Sequence, residues 1–221
     1  MTFYQWDFSF LPEYKNLFIT GIMYTCIFTV IPVILGFIIG IVVALLRCSS
    51  EVNFYVQLLI RSYVEIFRCT PVMVQLIWVY YAFPVLTGLQ ISAISAALFT
   101  LSLYGGAFYA EILRGGILSL GRGQSDAAKS LGMSSFQVIC YVITPQVLKN
   151  STPSLINQLI LQLKNTSLLS VLALPDLLYQ GQVIAHDTYR PLEAYSFIAA
   201  IYFIILFPFT IILQKYERKN K

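Results

Sequence analysis

The amino-acid sequence predicts an all-α, polytopic membrane protein with five transmembrane helices. Of its 221 residues, 58% are hydrophobic and only 11% are charged, whereas soluble domains carry about 25% charged residues. The sequence also contains charge-free runs that exceed the roughly 20 residues that one bilayer span requires. This composition excludes a disordered chain, a nucleic-acid-binding protein and an ordinary soluble enzyme.

The first predicted span runs from Leu17 to Leu46, because no charged residue lies between Lys15 and Arg47. This run is longer than the bilayer requires, so we expect the helix to be tilted. The residues before it, 1–16, are expected to form an extracytoplasmic segment.

The next uncharged run, which ends before Glu111, is too long for one span. Segment 83–88 contains the proline and the glycine that are typical of a turn. The run is therefore predicted to form a hairpin of two spans. The second span ends near Phe83, and the third runs from near Ile91 to near Gly115.

The remaining sequence contains two more predicted spans, separated by segments that are richer in charge. A long loop over 118–150 is expected to hold one or two short helices, because it combines charged residues with glycines and a proline. A fourth span follows over about 152–174, then a loop over 175–193. A fifth span over 194–213 leads into a basic tail, residues 214–221.

The distribution of basic residues predicts the orientation of these spans. Most lysines and arginines fall on the side of the long loop and the tail: Arg47, Arg61, Arg114, Arg122, Lys129, Lys149, Lys215, Arg218, Lys219 and Lys221. Lys15 and Arg190 fall on the opposite side, and Arg68 and Lys164 lie within apolar stretches. Because basic residues concentrate in cytoplasmic loops, the N-terminus is predicted outside and the C-terminus inside.

The long inner loop contains a run of small and polar residues that ends at Gly132. Ser125 and Asp126 suit the start of a helix, where free amide groups and the helix dipole favour them. Ala127 and Ala128 would let a partner surface approach closely, and Gly132 suits a helix stop. The run therefore predicts a short cytoplasmic helix that docks onto a partner.

The same run resembles the EAA motif of permeases from ATP-binding-cassette (ABC) importers. That motif is Glu-Ala-Ala, three residues, Gly, nine residues and Ile-x-Leu-Pro. Here the chain reads Gly123-Gln124-Ser125-Asp126-Ala127-Ala128-Lys129-Ser130-Leu131-Gly132, and nine residues later Val142-Ile143-Thr144-Pro145. Asp126 replaces the Glu, Val142 the Ile and Thr144 the Leu.

Further motifs, in the same order along the chain, resemble the polar-amino-acid permeases of the histidine, glutamine and glutamate type. They are Tyr63–Pro71 with Gln75, Gly106–Ile117, Pro145-Gln146 and Leu163–Leu168. Cys69 departs from the usual Phe-Arg-Gly-Thr-Pro sequence. The resemblance covers roughly residues 17–213.

This resemblance implies a subunit of a bacterial inner-membrane importer for polar amino acids. Such an importer has two permease subunits, two cytoplasmic ATPase subunits that bind ATP and Mg²⁺, and an extracytoplasmic binding protein. The short inner helix would be the coupling helix that inserts into a groove of the ATPase. Its expected coupling residues are Gly123, Gln124, Asp126, Ala127, Ala128 and Gly132.

Polar side chains line one side of the fourth predicted span. They fall within an arc of about 80° on a helix that turns about 100° per residue: Ser154, Gln158, Gln162 and Asn165. Asn157 and Lys164 form a neighbouring stripe. Such groups can hold helices together through hydrogen bonds, but four amide side chains on one span are more than that role requires. The sequence therefore favours a substrate path along this side.

In family members that carry cationic amino acids, carboxylates on this span hold the positive group of the substrate. By the resemblance, these carboxylate positions correspond to Gln158 and Asn165 in this chain, and both side chains are uncharged. A cation would lack its counter-charge in a low-dielectric cavity. The resemblance therefore predicts a neutral substrate such as glutamine or asparagine, or an acidic one, which is favoured if Lys164 lines the path. Thr70 is a further candidate to contact the substrate.

Arg68 has two possible roles. It can pair with Glu65, three residues earlier on a helix, or it can act as a gate or as a contact for an acidic substrate. Lys164 lies in the middle of a span, where an unpaired charge costs about 2.5–3.5 kcal/mol. We expect Lys164 to line the substrate path or to contact another subunit.

Two other functions remain open from the residues alone, a stand-alone secondary carrier and a membrane-embedded transferase. A carrier needs an ion or proton site, and Glu65 and Glu111 are the carboxylates predicted within spans. The sequence contains no catalytic triad pattern, no phosphate-binding loop, no CxxC pair and only one histidine, His186. We therefore expect no catalytic residue, metal or cofactor in this chain, and ATP hydrolysis in a separate subunit.

Overall fold

The computed structural model describes residues 4–49 and 52–219, which are helical apart from short connections and contain no strand. This confirms the predicted all-α fold class. Residues 1–3 of the predicted N-terminal segment and residues 220–221 of the predicted tail lie outside the described ranges.

Eight helices follow one another in these ranges. They are α1 (Lys15–Cys48), α2 (Phe54–Cys69), α3 (Val72–Thr87), α4 (Ala93–Ser119), α5 (Arg122–Ser130), α6 (Ser135–Leu172), α7 (Leu177–Thr188) and α8 (Pro191–Lys219). Helix α3 contains a π-helical turn at Trp78–Ala82. Helix α6 contains another at Val138–Ile143 and ends in a 3₁₀ segment, Thr166–Leu172.

Three of these helices are long and apolar enough to cross a membrane by themselves, namely α1, α4 and α8. Two more spans result if each bent pair of helices counts as one. Helices α2 and α3 form the first such pair, bent by 111°, and α6 and α7 form the second, bent by 48°. The predicted number of five spans corresponds to this upper count and stays a prediction.

The first and third predicted spans correspond to α1 and α4. Helix α1 contains the whole of 17–46 and extends slightly beyond both ends. Helix α4 starts close to the predicted Ile91 and continues past the predicted end at Gly115. The Ser92 side chain begins α4 by accepting a hydrogen bond from Ser95 N (3.1 Å).

Small residues bring α1 and α4 close together. A Cβ atom added to Gly36 would lie 3.0 Å from Gly106 N and 3.0 Å from Ser102 O. One added to Gly40 would lie 2.6 Å from Tyr109 Cβ. Because lipid offers no hydrophobic drive for helices to associate, close packing of this kind is a main source of stability.

The second predicted span, for which the sequence indicated only an end near Phe83, follows a sharp bend of α2 into α3. Thr70 is extended (φ −110°, ψ 143°), as residues before a proline tend to be. Gln75 Nε2 donates to Phe67 O (3.0 Å) and to Thr70 O (3.0 Å). Thr70 Oγ1 donates to Ile66 O (2.6 Å). The bonds from Gln75 occupy two carbonyls at the break, and the Thr70 hydroxyl adds a second bond to Ile66 O, which also accepts from Thr70 N (3.2 Å).

The second span also ends later than predicted. Its helix continues beyond Phe83 to the end of α3, because the π-helical turn places Pro84 in the first turn of a new α-helical segment. A proline there removes no required hydrogen bond. Gly88, with a left-handed φ of 73°, then ends the helix.

The predicted loop over 118–150 contains α5 and also the first part of α6. The helix that contains most of the predicted fourth span, α6, therefore starts at Ser135, well before the predicted start of that span near Thr152. A capping box begins it: Ser134 Oγ accepts from Gln137 N (3.3 Å), and Gln137 Oε1 accepts from Ser134 N (2.9 Å). This cap satisfies free amide groups at the helix start, and the π-helical turn before Pro145 lets the helix continue.

The predicted loop over 175–193 contains a further helix, α7. Asp176 begins it by accepting hydrogen bonds from Leu178 N (3.0 Å) and Tyr179 N (3.1 Å). Helix α8 contains the predicted fifth span, 194–213, and continues as a helix into the predicted tail.

Candidate functional site

Helix α5 ends in a hydrogen-bonded turn at Gly132. Gly132 N donates to Lys129 O (2.9 Å), and Met133 N donates to Ala128 O (3.2 Å). This pair of bonds is a Schellman motif. Gly132 has a left-handed φ of 83°, a conformation that favours glycine. The predicted role of Gly132 as a helix stop is confirmed.

The start of α5 lies earlier than predicted. Gly121 is the N-cap residue, so Ser125 and Asp126 lie in the second turn instead of at the helix start. Glycine is an acceptable N-cap residue, whereas the serine and the aspartate had been predicted to start the helix. Asp126 therefore projects from the body of the helix.

Helix α5 presents most of its predicted coupling residues at the surface of the chain. The exposed ones are Gly123, Gln124, Asp126, Ala127 and Gly132. Ala128 is buried within the chain. Two large apolar side chains that the sequence analysis did not single out lie just beyond the helix, Leu131 (84% exposed) and Phe136 (74% exposed). This combination suits a protein partner, since aromatic and apolar anchors dominate the core of such interfaces.

Arg68 lies beside the α2–α3 break and is partly exposed. Its Nη1 is 4.0 Å from Glu65 Oε1, the predicted partner, and 3.6 Å from Glu111 Oε2 on α4. Thr70, in the break itself, is exposed. The pairing of Arg68 with Glu65 is therefore present but long, and Glu111 is the nearer carboxylate.

Glu111 is the centre of an ion-pair network that the sequence analysis missed. Arg114 Nε and Nη2 donate to its two carboxylate oxygens, each at 2.9 Å, a strong bidentate arrangement. Arg47, at the end of α1, also donates to Glu111 Oε1. Three arginines from α1, α2 and α4 thus converge on one carboxylate. The spacing of Glu111 and Arg114, three residues apart on one helix, was the available signal for this pair.

The structure separates the predicted polar side of α6 into exposed and buried residues. Ser154 and Lys164 are exposed, whereas Gln158 and Gln162 are buried. Gln162 Nε2 donates to Leu101 O on α4 (2.8 Å), so this side chain links two helices. Its assignment to the substrate path stays a prediction, as does that of the other three.

Two amide groups on α6 have unused hydrogen-bond donors. Gln158 Nε2 and Asn165 Nδ2 are buried without a partner among the described residues. On the neighbouring stripe, Asn157 and Lys164 are both exposed, and the described part of the chain contains no carboxylate paired with Lys164. The arrangement provides donors and one positive charge, which can hold carbonyl or carboxylate oxygens.

The fold is that of a polytopic helical membrane protein, with polar side chains along α6 and a short, largely exposed helix α5. Residues 36–220 match the profile of the family described as binding-protein-dependent transport system inner membrane component. The chain therefore belongs to this family, and it is an inner-membrane permease subunit of an ABC importer. The resemblance to polar-amino-acid permeases is confirmed.

Relatives with similar sequences cover nearly the whole chain. The glutamine transport system permease protein GlnP of Escherichia coli (strain K12) is 35% identical, and the match covers 98% of this chain and 99% of that protein. The putative glutamine transport system permease protein GlnP of Rickettsia felis is 33% identical, with 98% of each chain covered.

Solved structures agree with the fold. A crystal structure of an amino acid ABC transporter with histidines gives a TM-score of 0.87 at 38% identity, over 98% of this chain and 100% of that one. An inward-facing MetNI methionine ABC transporter gives a TM-score of 0.73 at 20% identity, over 92% of this chain and 98% of that one. The second likeness shows the fold alone.

Proposed function

We propose that this permease imports a neutral polar or an acidic amino acid that an extracytoplasmic binding protein delivers. One observation carries the substrate class: α6 contains no aspartate or glutamate, and its buried donors Gln158 Nε2 and Asn165 Nδ2 have no partner among the residues that the structure describes. Free donors in a buried site suit the carboxamide or carboxylate oxygen of a substrate. The GlnP relatives, which are named for glutamine transport, are consistent with this class.

The proposed substrate path runs from the α2–α3 break to the polar side of α6. The exposed members of the set would be enclosed when a second permease subunit packs against this one, and the buried amides would be reached by small movements of α6. The path residues are Arg68, Thr70, Ser154, Gln158, Gln162, Lys164 and Asn165.

We propose that α5 is the coupling helix, which docks into the ATPase subunit. Its exposed small residues allow close approach, and the Gly132 turn sets where the chain leaves the helix. The complete importer would contain two ATPase subunits, which bind ATP and Mg²⁺, and two permease subunits, either identical or sister chains. This chain would carry no cofactor and would not itself hydrolyse ATP.

The proposed arrangement in the membrane has five spans, with the N-terminus outside and the C-terminus inside. Residues 1–16 would then lie outside, 17–213 would form one membrane domain with the loop 118–150 inside, and the tail 214–221 would lie inside.

Cysteine labelling in intact cells tests this orientation. In a variant in which the four native cysteines are replaced by serine, we expect a membrane-impermeant maleimide to label His186→Cys, because His186 is 84% exposed at the end opposite the coupling helix. It should not label Arg218→Cys until the cells are opened, which also shows that the second site is reactive. Labelling of the second site alone in intact cells would contradict the orientation.

Stimulation of ATP hydrolysis by different amino acids tests the substrate class. In vesicles that contain the complete importer, we expect glutamine, asparagine, glutamate or aspartate to stimulate ATP hydrolysis more than arginine. A buried cation without a counter-charge loses several kcal/mol, and each ~1.4 kcal/mol is tenfold in affinity. Assays with and without the binding protein distinguish its selectivity from that of the permease. If arginine stimulates ATP hydrolysis as strongly as these four amino acids when the binding protein is omitted, the proposal is refuted.

Substitution of Lys164 separates the neutral from the acidic case. If this ammonium group contacts the substrate, Lys164→Gln should weaken the response to glutamate more than that to glutamine, and Lys164→Arg should retain both. If the responses to glutamate and glutamine change equally, Lys164 does not distinguish substrates by their charge.

A further inference from the structure

Three aromatic side chains form a ladder on the surface of the segment before α1. Tyr4, Trp6 and Phe8 occupy alternate positions. The rings of Tyr4 and Trp6 have centroids 5.7 Å apart in an edge-to-face arrangement, and those of Trp6 and Phe8 are 5.7 Å apart and nearly parallel. Tyr4 and Trp6 are still 55% and 54% exposed. The segment thus holds large apolar side chains at the surface in a fixed arrangement.

A buried carboxylate at the start of α8 fixes this ladder in place. Glu193 is fully buried. It accepts hydrogen bonds from the Tyr4 hydroxyl (2.6 Å) and from Asp7 N (3.2 Å). Arg190 pairs with both acids, at 3.1 Å from Asp7 Oδ2 and 3.3 Å from Glu193 Oε1. Phe10, the next inward-facing residue, packs into the core formed by α1, α7 and α8.

The ladder lies where two membrane helices begin, at the face opposite α5. Helix α1 starts at Lys15 and exposes apolar side chains soon after, such as Ile19 and Met23. At the start of α8 a shallow, mainly apolar depression is lined by Pro191, Leu192, Tyr195, Ser196 and Ala199. Further along α8 the apolar surface continues through Phe203, Ile204 and Phe207. The ladder is therefore adjacent to exposed apolar surfaces at the starts of α1 and α8.

We propose that the Tyr4–Trp6–Phe8 ladder, together with the first turns of α8, is a lipid-binding surface that anchors this end of the protein at the headgroup boundary. Tryptophan and tyrosine concentrate at that boundary because an apolar ring and a polar group fit its two environments. Asp7 and Arg190 pair with each other, and hydrogen bonds from Ser9 hold the pKa of Asp7 below its usual value. The exposed pair is therefore neutral, and the remaining negative charge, that of Glu193, is buried beneath the ladder. The apolar rings are thus the exposed groups that select the partner.

Tryptophan fluorescence gives a direct test, because the chain contains only two tryptophans. In the full-length permease with Trp78→Phe, Trp6 is the single reporter. We expect strong loss of its emission in vesicles of phosphatidylcholine brominated near the headgroup, and weak loss with iodide in the water. The complementary Trp6→Phe protein, which reports from Trp78 on α3, is the matched control. Strong quenching by iodide and none by bromolipid would overturn the proposal.

A second pair of variants tests whether Glu193 positions the ladder. Tyr4→Phe removes only the hydroxyl that donates to Glu193, and it should decrease bromolipid quenching of Trp6 and increase iodide quenching. Phe8→Leu, which leaves those hydrogen bonds intact, should change quenching less. If Trp6 becomes shielded only when the extracytoplasmic binding protein is added, the surface docks a protein and the lipid assignment is wrong.

Discussion

ATP-driven uptake is expected to be lost when Gly132 is replaced by tryptophan, although the permease should still insert and fold. A Cβ atom at Gly132 would meet no other atom of the chain within 4 Å. A side chain there therefore starts in open space on the described part of the permease. It would project from the end of the coupling helix toward the ATPase, and would prevent docking.

Gly132→Ala separates this docking effect from backbone strain. The left-handed φ of 83° costs a non-glycine residue about 1–2 kcal/mol, a cost that alanine and tryptophan share. Uptake and substrate-stimulated ATP hydrolysis in vesicles should be decreased by alanine and abolished by tryptophan. Gly115→Ala on α4 is the matched control, because this glycine is also in open space but has no left-handed φ. Equal activity of the tryptophan and alanine variants would contradict the docking role.

Gly40→Leu is expected to prevent stable folding of the permease. An added Cβ would lie 2.6 Å from Tyr109 Cβ and 3.1 Å from Ala110 N, so α1 and α4 would have to separate. Overpacking by a few atoms typically costs about 1–3 kcal/mol, and leucine adds more than that site can accommodate. Thermal unfolding of the isolated permease in detergent should show a large loss of stability.

Gly115→Leu is the control for this prediction. Gly115 lies on α4, but an added Cβ would meet no atom within 4 Å, so the same change in side chain should leave the unfolding temperature nearly unchanged. If Gly40→Leu unfolds at the same temperature as Gly115→Leu, the close α1–α4 contact does not stabilise the protein.

The parts of the fold that depend on apolar length could be predicted from the sequence. A long charge-free run located α1, and the turn residues of segment 83–88 placed the start of the next span close to the observed start of α4. The same reasoning failed where prolines and charges were taken as ends of helices. Pro84 and Pro145 follow π-helical turns, which change the backbone hydrogen bonds so that each helix continues.

The candidate site was predictable where one short segment carries it. The run that ends at Gly132 predicted a short helix and its stop, and α5 with its turn at Gly132 lies there. Contacts between distant segments were not predictable in this way. The convergence of Arg47, Arg68 and Arg114 on Glu111 depends on the relative positions of three helices, which helical periodicity does not give. The link from Gln162 to Leu101 likewise could not be distinguished from a surface position by helical periodicity alone.

The central claim is that this chain is a permease that moves a polar amino acid only when coupled to an ATPase. The most direct measurement is accumulation of labelled glutamine and glutamate in vesicles that contain the permease, with its cognate ATPase and binding protein added or omitted. We predict accumulation against a gradient only when all components and hydrolysable ATP are present. Accumulation by the permease alone, driven by a proton or sodium gradient, would contradict this account and identify a secondary carrier.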